Sequence, residues 1–295
     1  MVGDGLHTRA VEDDPRNWRS RQLFPGRSEV DGIEIMNGEV SIQLNREGRR
    51  WVMNAPVSTR ADTEAVERML GVIDRTEHDG FIVDTPDALD GFGLDQPVAR
   101  VSIRRGDGLE SLLIGNPSGL VGRGRYAMVE GVPTVLRIEE TTLRGLLPPV
   151  VSFIDPVPSG VSGGDVKSIE IVPRSGGSVY LERDLNRWRI ERTQAGASTA
   201  DTGFADSEVV DELLNLLADN RAPEVIVQAF PGEMAQANVT FLGWDGQPID
   251  TVRIAREPDE GRWALDNGDG VLRVLPASAG LPLSLDAWTV TRVQP

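Results

Sequence analysis

Residues 30–35 read VDGIEI, and residues 166–171 read VKSIEI. Both stretches alternate apolar and polar residues, which is the pattern of a strand with one buried face. The repeat extends beyond them, because Trp51 returns as Trp188 in a second strand rich in basic residues. The sequence therefore predicts two related units in tandem.

A helix is predicted at the same place in both units. Ala61-Asp62 returns as Ala205-Asp206, and aspartate is a favoured residue at the N-cap of a helix. Apolar residues then recur at the i, i+3, i+4, i+7 spacing of a helix with one buried face. They are Val66, Met69, Leu70 and Ile73 in the first unit and Val210, Leu213, Leu214 and Leu217 in the second.

Short alternating runs separated by polar or glycine-containing turns predict seven strands around each helix. In the first unit they are residues 32–36, 41–45, 51–53, 98–104, 110–114, 125–129 and 134–138. In the second they are residues 168–172, 178–183, 187–191, 237–242, 250–254, 262–265 and 271–275. Strands grouped before and after a helix favour an antiparallel layer. We therefore predict the α+β class, with two tandem related units, each a mainly antiparallel sheet with one central amphipathic helix packed on it.

The predicted domain boundaries follow from composition. A loosely ordered leader covers residues 1–22, the first unit residues 23–158 and the second unit residues 159–295. Trp18 and Leu23-Phe24 are candidates for docking on the first unit, although a simple tether is the favoured interpretation of the leader. Residues 155–164 read DPVPSGVSGG, and this proline- and glycine-rich composition predicts a linker between the units.

The closing strands repeat in detail, with one departure. Arg125-Tyr126-Ala127-Met128 parallels Arg262-Trp263-Ala264-Leu265, and Val135-Leu136-Arg137-Ile138 parallels Val271-Leu272-Arg273-Val274. Residues 91–97 read GFGLDQP in the first unit, and the second unit has residues 228–236 in that place. If the extra segment marks a site, the two units differ in function.

Composition limits the classes of function. The 295 residues carry a formal charge of −16, divided into +1 for residues 1–28, −8 for 29–158 and −9 for 159–295. Nucleic acids and anionic membrane surfaces are therefore disfavoured as partners. The absence of cysteine excludes disulfides, thiolate catalysis and thiolate metal sites. The sequence has no apolar run long enough to span a bilayer and no apolar stretch near Met1 typical of a secretion signal, so it predicts a soluble chain.

Two glycine motifs are weak signals. Residues 160–164 (GVSGG) satisfy G-x-S-x-G, but both histidines lie upstream and no helix is predicted to follow, so a linker is favoured over a nucleophile elbow. Residues 122–127 (GRGRYA) fit a dinucleotide fingerprint but open a strand, so a hairpin turn is favoured. The surrounding loop, residues 115–125, has arginines that could hold an anion or a peptide carboxylate, against the alternative of a solvated loop.

Two further motifs resemble metal sites. His78 lies between Glu77 and Asp79, but no second histidine is near, and a histidine at a helix C-terminus is the favoured interpretation. Residues 266–270 (DNGDG) suggest a calcium loop but lack its closing glutamate, so a tight hairpin turn is favoured.

Trp51 and Trp188 are predicted core residues or the floor of a groove. We assign no catalytic, cofactor-binding or metal-binding residue, and no cofactor.

A family resemblance rests on the first unit. A strand pair ending in Trp51 and a proline is followed by Ala61-Asp62, then by residues 91–97 and by Leu113-Ile114-Gly115 before Arg125-Tyr126. This order resembles the domain of unknown function 4340 family (DUF4340). The second unit keeps Trp188, Ala205-Asp206 and the closing strands, so it resembles a divergent copy, and together the copies cover roughly residues 20–295.

The resemblance implies a context rather than a reaction. Members of that family have no assigned activity, commonly carry an amino-terminal membrane anchor and often occur beside auxiliary subunits of gliding-type ABC transporters. The resemblance therefore implies a non-enzymatic binding or scaffold protein on the extracytoplasmic side of the cell envelope, with a cytoplasmic location as the alternative. The alternative function is a carboxylate-dependent hydrolase acting at the cleft between the two units.

Overall fold

The computed structural model describes residues 21–24, 29–119 and 123–291. The chain divides into unit 1, which ends at Ile154, and unit 2, which begins at Asp155. Within the described residues each unit contains one nine-stranded sheet, and the neighbouring strands pair antiparallel. The predicted α+β class with two related sheet units is confirmed.

The sheet of unit 1 has the strand order β4-β3-β2-β1-β6-β7-β8-β9-β5. Its strands are β1 (Gly32–Asn37), β2 (Val40–Glu47), β3 (Arg50–Ala55), β4 (Thr59–Arg60), β5 (Gly80–Val83), β6 (Ala99–Arg105), β7 (Gly108–Pro117), β8 (Gly124–Val129) and β9 (Val135–Glu139). Its helices are α1 (Thr63–Arg75) and α2 (Glu140–Leu146).

The sheet of unit 2 repeats this order as β13-β12-β11-β10-β15-β16-β17-β18-β14. Its strands are β10 (Ser168–Pro173), β11 (Ser178–Asp184), β12 (Arg187–Thr193), β13 (Ala200–Phe204), β14 (Glu224–Val227), β15 (Ala235–Leu242), β16 (Pro248–Arg256), β17 (Trp263–Asp266) and β18 (Val271–Leu275). Its helix α3 (Ser207–Leu214) continues into a π turn (Asn215–Asp219).

The prediction of seven strands per unit is wrong, because each sheet has nine. The missed strands are the edge pairs β4 and β5 in unit 1 and β13 and β14 in unit 2. They are two to five residues long, so they show too few alternating positions to be read from the sequence. Backbone pairing with a neighbouring strand, rather than side-chain pattern, makes them part of the sheet.

The helix and the strands on either side of it explain how each sheet is covered. In unit 1, α1 follows β4 at one edge of the sheet and leads to β5 at the other, so the helix crosses the sheet. The Asp62 side chain accepts hydrogen bonds from the backbone amides of Glu64 and Ala65 and caps the helix. In unit 2 the Asp206 side chain caps α3 in the same way, by accepting from Glu208.

The predicted apolar stripes are the buried faces of these helices. Val66, Met69 and Ile73 are buried in unit 1, and Leu70 is half-buried. In unit 2 the four predicted residues of the helix belong to one apolar core with the sheet and Trp188. Helix and sheet therefore stabilise each other in each unit, because neither can bury its apolar face alone.

The repeated tryptophans occupy equivalent places. Trp51 pairs with Arg46 across β2 and β3, and Trp188 pairs with Arg183 across β11 and β12. The carbonyl of each tryptophan accepts a hydrogen bond from the alanine before the helix cap, at 3.0 Å in unit 1 and 2.9 Å in unit 2. Both side chains are buried, so of the two predicted alternatives, core or groove floor, they belong to the core.

The sequence parallel in the closing strands is wrong by one residue. Ala127 of β8 pairs with Ile114 on one side and with Leu136 of β9 on the other. The residue at its place in unit 2 is Leu265 of β17, which pairs with Ile254 on one side and with Arg273 of β18 on the other. The sequence parallel had matched Arg137 to Arg273. A slip of one residue turns a side chain to the other face of a sheet, so these two arginines face opposite sides.

The predicted linker, residues 155–164, is a packed part of unit 2. Ser159 is buried, and its backbone amide donates to the Leu217 carbonyl at 2.8 Å. The amide of Gly160 donates to Asp250, and that of Gly163 donates to Asp219. The linker prediction is therefore wrong, because proline and glycine here shape a strap that is held by hydrogen bonds from the rest of the unit.

Residues 21–24 lie ahead of β1 and contact the chain between the end of α1 and the start of β5. Leu23 and Phe24 are buried, and the Leu23 amide donates to the Thr76 carbonyl at 3.0 Å, so these two residues dock on the first unit, which was the alternative to the favoured tether. Gln22 forms a bridge with Glu77, ahead of β5. Trp18 and the rest of the predicted leader up to residue 20 lie outside the described residues.

Candidate functional sites and interaction surfaces

The G-x-S-x-G motif lies in the strap of unit 2. Ser162 is exposed and precedes a short 3-10 helix (Gly163–Asp165), where its carbonyl accepts a hydrogen bond from the Asp165 amide. A nucleophile elbow requires a strand before the serine and a helix long enough to present it. This geometry gives Ser162 the role of a turn residue.

His78 lies outside the helix that precedes it. Helix α1 ends at Arg75, and the His78 ring packs edge-to-face on Phe81 with ring centroids 4.3 Å apart. The neighbouring Asp79 carboxylate forms an ion pair with Arg137. No group of three or more histidine, aspartate or glutamate side chains within the described residues is arranged to hold a metal ion.

Residues 266–270 form the connection between β17 and β18, as the hairpin interpretation predicts. The Asp266 carboxylate is buried and accepts hydrogen bonds from Arg253, and Asp269 accepts a bidentate pair of bonds from Arg273. Asp266 also accepts from the backbone amide of Gly268. These carboxylates accept hydrogen bonds from guanidinium groups and from a backbone amide of the turn. A calcium loop would need the same carboxylate oxygens free to bind the ion.

The fingerprint at residues 122–127 opens a strand, as predicted, because β8 begins at Gly124. Gly122 and part of the surrounding arginine loop lie outside the described residues. Arg125 donates to the carbonyl of Gly115 at 3.1 Å, so this arginine closes the base of the loop.

The segment that distinguishes unit 1, residues 91–97, lies against the sheet at β7. An added Cβ on Gly115 would stand 2.2 Å from the Phe92 carbonyl oxygen, so the two backbones meet in direct contact there. The Phe92 ring packs edge-to-face on Tyr126 at 5.1 Å, and Leu94 is buried against Leu113. The segment therefore covers a second apolar cluster on the sheet, and the glycine of Leu113-Ile114-Gly115 is required by this contact.

Unit 2 covers the corresponding cluster differently. There the small residues Ala255 and Ala264 pack with Leu272 and Val274, under Phe230 and Met234 of the β14–β15 connection. These alanines are smaller than Leu113 and Met128 of the unit 1 cluster and expose less apolar surface. The β14–β15 connection can therefore cover the unit 2 cluster without a segment like residues 91–97. The difference between the units is thus explained by packing.

Unit 1 also has an apolar groove of about 360 Å³ between the β1–β2 hairpin and the chain after α2. Its lining is aliphatic residues and prolines, with Asn37 as the polar member, and includes Val40 and residues 147–150. A small-molecule site generally requires several converging polar groups to orient its ligand. The groove offers an apolar surface rather than a reaction site.

The four sheet edges differ in how open they are. Strand β4 has two residues, and β13 is bridged at Phe204 by Thr291. Strand β5 carries a register shift between Phe81 and Val83 in its pairing with β9. Strand β14 pairs with β18 over four consecutive residues without a shift. Short length, covering and bulges are ways in which edges avoid further pairing. Strand β14 is short, with four residues, but its pairing has no register shift, and no other segment of the described residues forms a bridge with it.

These features define a protein of two related sheet-and-helix units, whose described residues present sheet edges and apolar surfaces. Residues 51–239 match the model of the Domain of unknown function (DUF4340), and the chain belongs to this family. The match begins in β3 of unit 1 and ends in β15 of unit 2, so it crosses the boundary between the units. That each unit is a separate copy of the family domain stays a prediction.

No curated protein and no solved structure matches the chain. Among the helices of the described residues, none combines the length and the apolar composition needed to cross a membrane.

Asp31 links stability to pH. Its carboxylate accepts from the Arg104 guanidinium at 2.7 Å and from the Gly106 amide at 2.9 Å. The bond from Arg104, against the opposing effect of desolvation, lowers the pKa of Asp31 from its ordinary 3.8. A hydrolase acid needs a raised pKa, so Asp31 is no candidate for that role.

Asp31→Asn is expected to weaken the acid dependence of stability. A lowered folded-state pKa contributes stability that is present above pH 3.8 and is lost as the pH falls below it through the folded-state value. The measurement is the urea midpoint near neutral pH and at about pH 3, where the wild type is expected to lose more than the variant. Equal losses in both proteins would contradict the assignment.

Proposed function

We propose that this protein is a non-enzymatic protein-binding module, which holds a partner by adding one of the partner's strands to the β14 edge of unit 2. The observation that carries the proposal is the regular pairing of β14 with β18 at the edge of the sheet, where no bridge from another described segment occupies its outer side. In an antiparallel edge strand, every second residue turns its amide and carbonyl away from the sheet. A partner strand would pair with those groups, which is the mechanism of β-augmentation.

The side chains of β14 support this mode of binding. Val225 and Ile226 are half-buried, and Val227 exposes 44% of its surface. Glu224, the charged residue of the strand, forms an ion pair with Arg262 at 2.7 Å, so its charge is compensated within the unit. The edge thus combines backbone groups that give affinity with apolar side chains that give specificity.

The partner we propose is an auxiliary subunit of a gliding-type ABC transporter, on the extracytoplasmic side of the cell envelope. Support for this partner comes from the family context that the resemblance implies. Support for the surface comes from β14 alone, so the two parts of the proposal can fail separately.

Val227→Lys tests the surface. A lysine on an edge strand opposes the addition of another strand, and we expect affinity for the transporter subunits to fall by about tenfold or more. The control is Val98→Lys, which places the same charge at a valine with the same 44% exposure in unit 1. Co-purification of the full chain with these subunits from preserved envelopes gives the readout, and Val98→Lys is expected to co-purify like the wild type.

Amide hydrogen exchange separates the surface from the partner. Added partner is expected to slow exchange in β14 and to leave β5 unchanged. Co-purification that survives Val227→Lys would contradict the β14 surface, whereas a wild type that fails to co-purify would contradict the proposed partner.

A further inference from the structure

One end of the unit 2 sheet carries two exposed apolar side chains at hairpin tips. Leu185, between β11 and β12, exposes 92% of its surface, and Trp244, between β15 and β16, exposes 65%. Both hairpins lie at the same end, because Glu182 of β11 and Leu242 of β15 each pair with Ser168 of β10. Two strand spacings separate β11 and β15, so the tips are roughly 10 Å apart.

Leu185 holds a strained backbone conformation at its tip. Its φ is +56°, in the left-handed region, where a bulky side chain is a clear outlier. The two-residue loop lies between the paired residues Asp184 and Arg187. Unit 1 has the same loop between Glu47 and Arg50, and there Gly48 takes the position with φ +63°. Glycine is the residue that this kind of hairpin turn favours, so unit 2 carries an exposed leucine at a place suited to glycine.

At the second tip, too, unit 2 has a large apolar residue where unit 1 has a small or polar one. In unit 1 the β6–β7 hairpin turns through Gly106 and Asp107, whereas the longer β15–β16 turn of unit 2 presents Trp244. The indole Nε1 donates to the carbonyl of Gly164 at 3.4 Å, and the Lys167 ammonium stands 5.6 Å from the ring centroid. The polar N–H of the indole is therefore used within the unit, and the exposed remainder of the ring is apolar.

The charges around the tips cancel. Residues 164–167, 182–189 and 242–249 carry four basic and four acidic side chains, although residues 159–295 as a whole carry −9. The charged residues of this end are Asp165, Lys167, Glu182, Arg183, Asp184, Arg187, Arg189 and Asp245. This end of unit 2 therefore has no net charge, although the unit as a whole is acidic. It can approach a surface without the electrostatic repulsion that the acidic remainder of the unit would meet at a negatively charged one.

We propose that the hairpin tips bearing Leu185 and Trp244 insert into the interfacial region of a zwitterionic lipid bilayer and dock unit 2 on its surface. Two separate protrusions present too little area for a stable protein interface, which buries about 800 Å² on each side. A lipid interface accepts protrusions without a complementary shape. Tryptophan rings favour its headgroup level, and arginine and lysine stems can lie along it with their charges in water.

The test uses the full chain and vesicles of phosphatidylcholine. The wild type is expected to sediment with the vesicles. Leu185→Gly and Trp244→Ala are each expected to lower the partition coefficient by about tenfold, because each removes one inserted side chain. The matched control is Val172→Ser, which removes an exposed apolar side chain near the opposite end of β10 and is expected to partition like the wild type.

Two readouts distinguish insertion from unfolding. Leu185→Gly relieves the positive φ, so its thermal unfolding midpoint is expected to equal or exceed that of the wild type. In a Trp18→Phe background, Trp244→Phe is expected to stay on the vesicles while losing most of the fluorescence quenching by brominated acyl chains, since Trp51, Trp188, Trp263 and Trp288 are buried in the protein.

Three results would overturn the proposal. The first is a wild type that does not partition, and the second is wild-type partition by Leu185→Gly and Trp244→Ala. The third is a self-association that Leu185→Gly abolishes without any vesicle binding, which would assign the tips to a second copy of the chain.

Discussion

Gly115→Ala is expected to lower the free energy of unfolding by about 3 kcal/mol. The added Cβ would stand 2.2 Å from the Phe92 carbonyl oxygen and 3.1 Å from the Gly93 carbonyl carbon. These are backbone atoms, so no flexible side chain can move aside to make room. Either β7 bends or residues 91–97 leave the sheet, and the second outcome exposes Phe92 and Leu94 to water.

Urea unfolding of the full chain measures the effect. The control is Gly119→Ala, which adds the same methyl group where no described atom lies within 4 Å of the new Cβ. The control is expected to change stability by less than about 0.5 kcal/mol. If both variants unfold at the same urea concentration, the contact between residues 91–97 and β7 does not contribute to the stability of unit 1.

Arg273→Ala is expected to cost about 4 kcal/mol, because it removes a fully buried guanidinium group and leaves the largely buried Asp269 carboxylate without its charge partner. The Arg273 side chain is fully buried and donates to both oxygens of Asp269, at 2.9 and 2.7 Å. It also donates to the carbonyl of Asp155 at 3.0 Å, which fastens the strap to β18. The alanine variant breaks these bonds and leaves a cavity of the size of the side chain.

The matched control is Arg189→Ala. Arg189 also pairs with an aspartate, at 3.0 Å, but its side chain is 61% exposed. Exposed pairs contribute little because water screens them, so the control is expected to lose less than about 1 kcal/mol. Urea midpoints give both values. A loss of similar size in the two variants would show that burial does not strengthen the Arg273 pair.

The strands and helices with strong local patterns were predictable. Period-two alternation around residues 30–35 and 166–171 identifies β1 and β10, and both are central strands of their sheets. Asp62 and the apolar stripe after it specify α1, because a cap and a buried face are both properties of nearby residues. Such elements can be recognised without knowing what packs on them.

The candidate surfaces were not predictable in this way. The edge strand β14 has too few residues for a pattern, and its openness depends on which strands flank it in the sheet. Leu185 was predicted only as part of a polar turn, and Trp244 was not singled out. The sequence does contain a signal for this tip, since unit 1 has Gly48 where unit 2 has Leu185. That Leu185 occupies an exposed two-residue hairpin loop is shown only by the pairing of β11 with β12.

The sequence by itself determined that the chain is built as two related sheet-and-helix units, because alternation, helical spacing and caps act over a few neighbouring residues. Only the tertiary structure decided the strand order, the edges, the facing of Arg137 and Arg273, and the packing of residues 155–164 into unit 2. These features depend on contacts between residues far apart in the chain. A one-residue change of register alters them while leaving the local pattern almost unchanged.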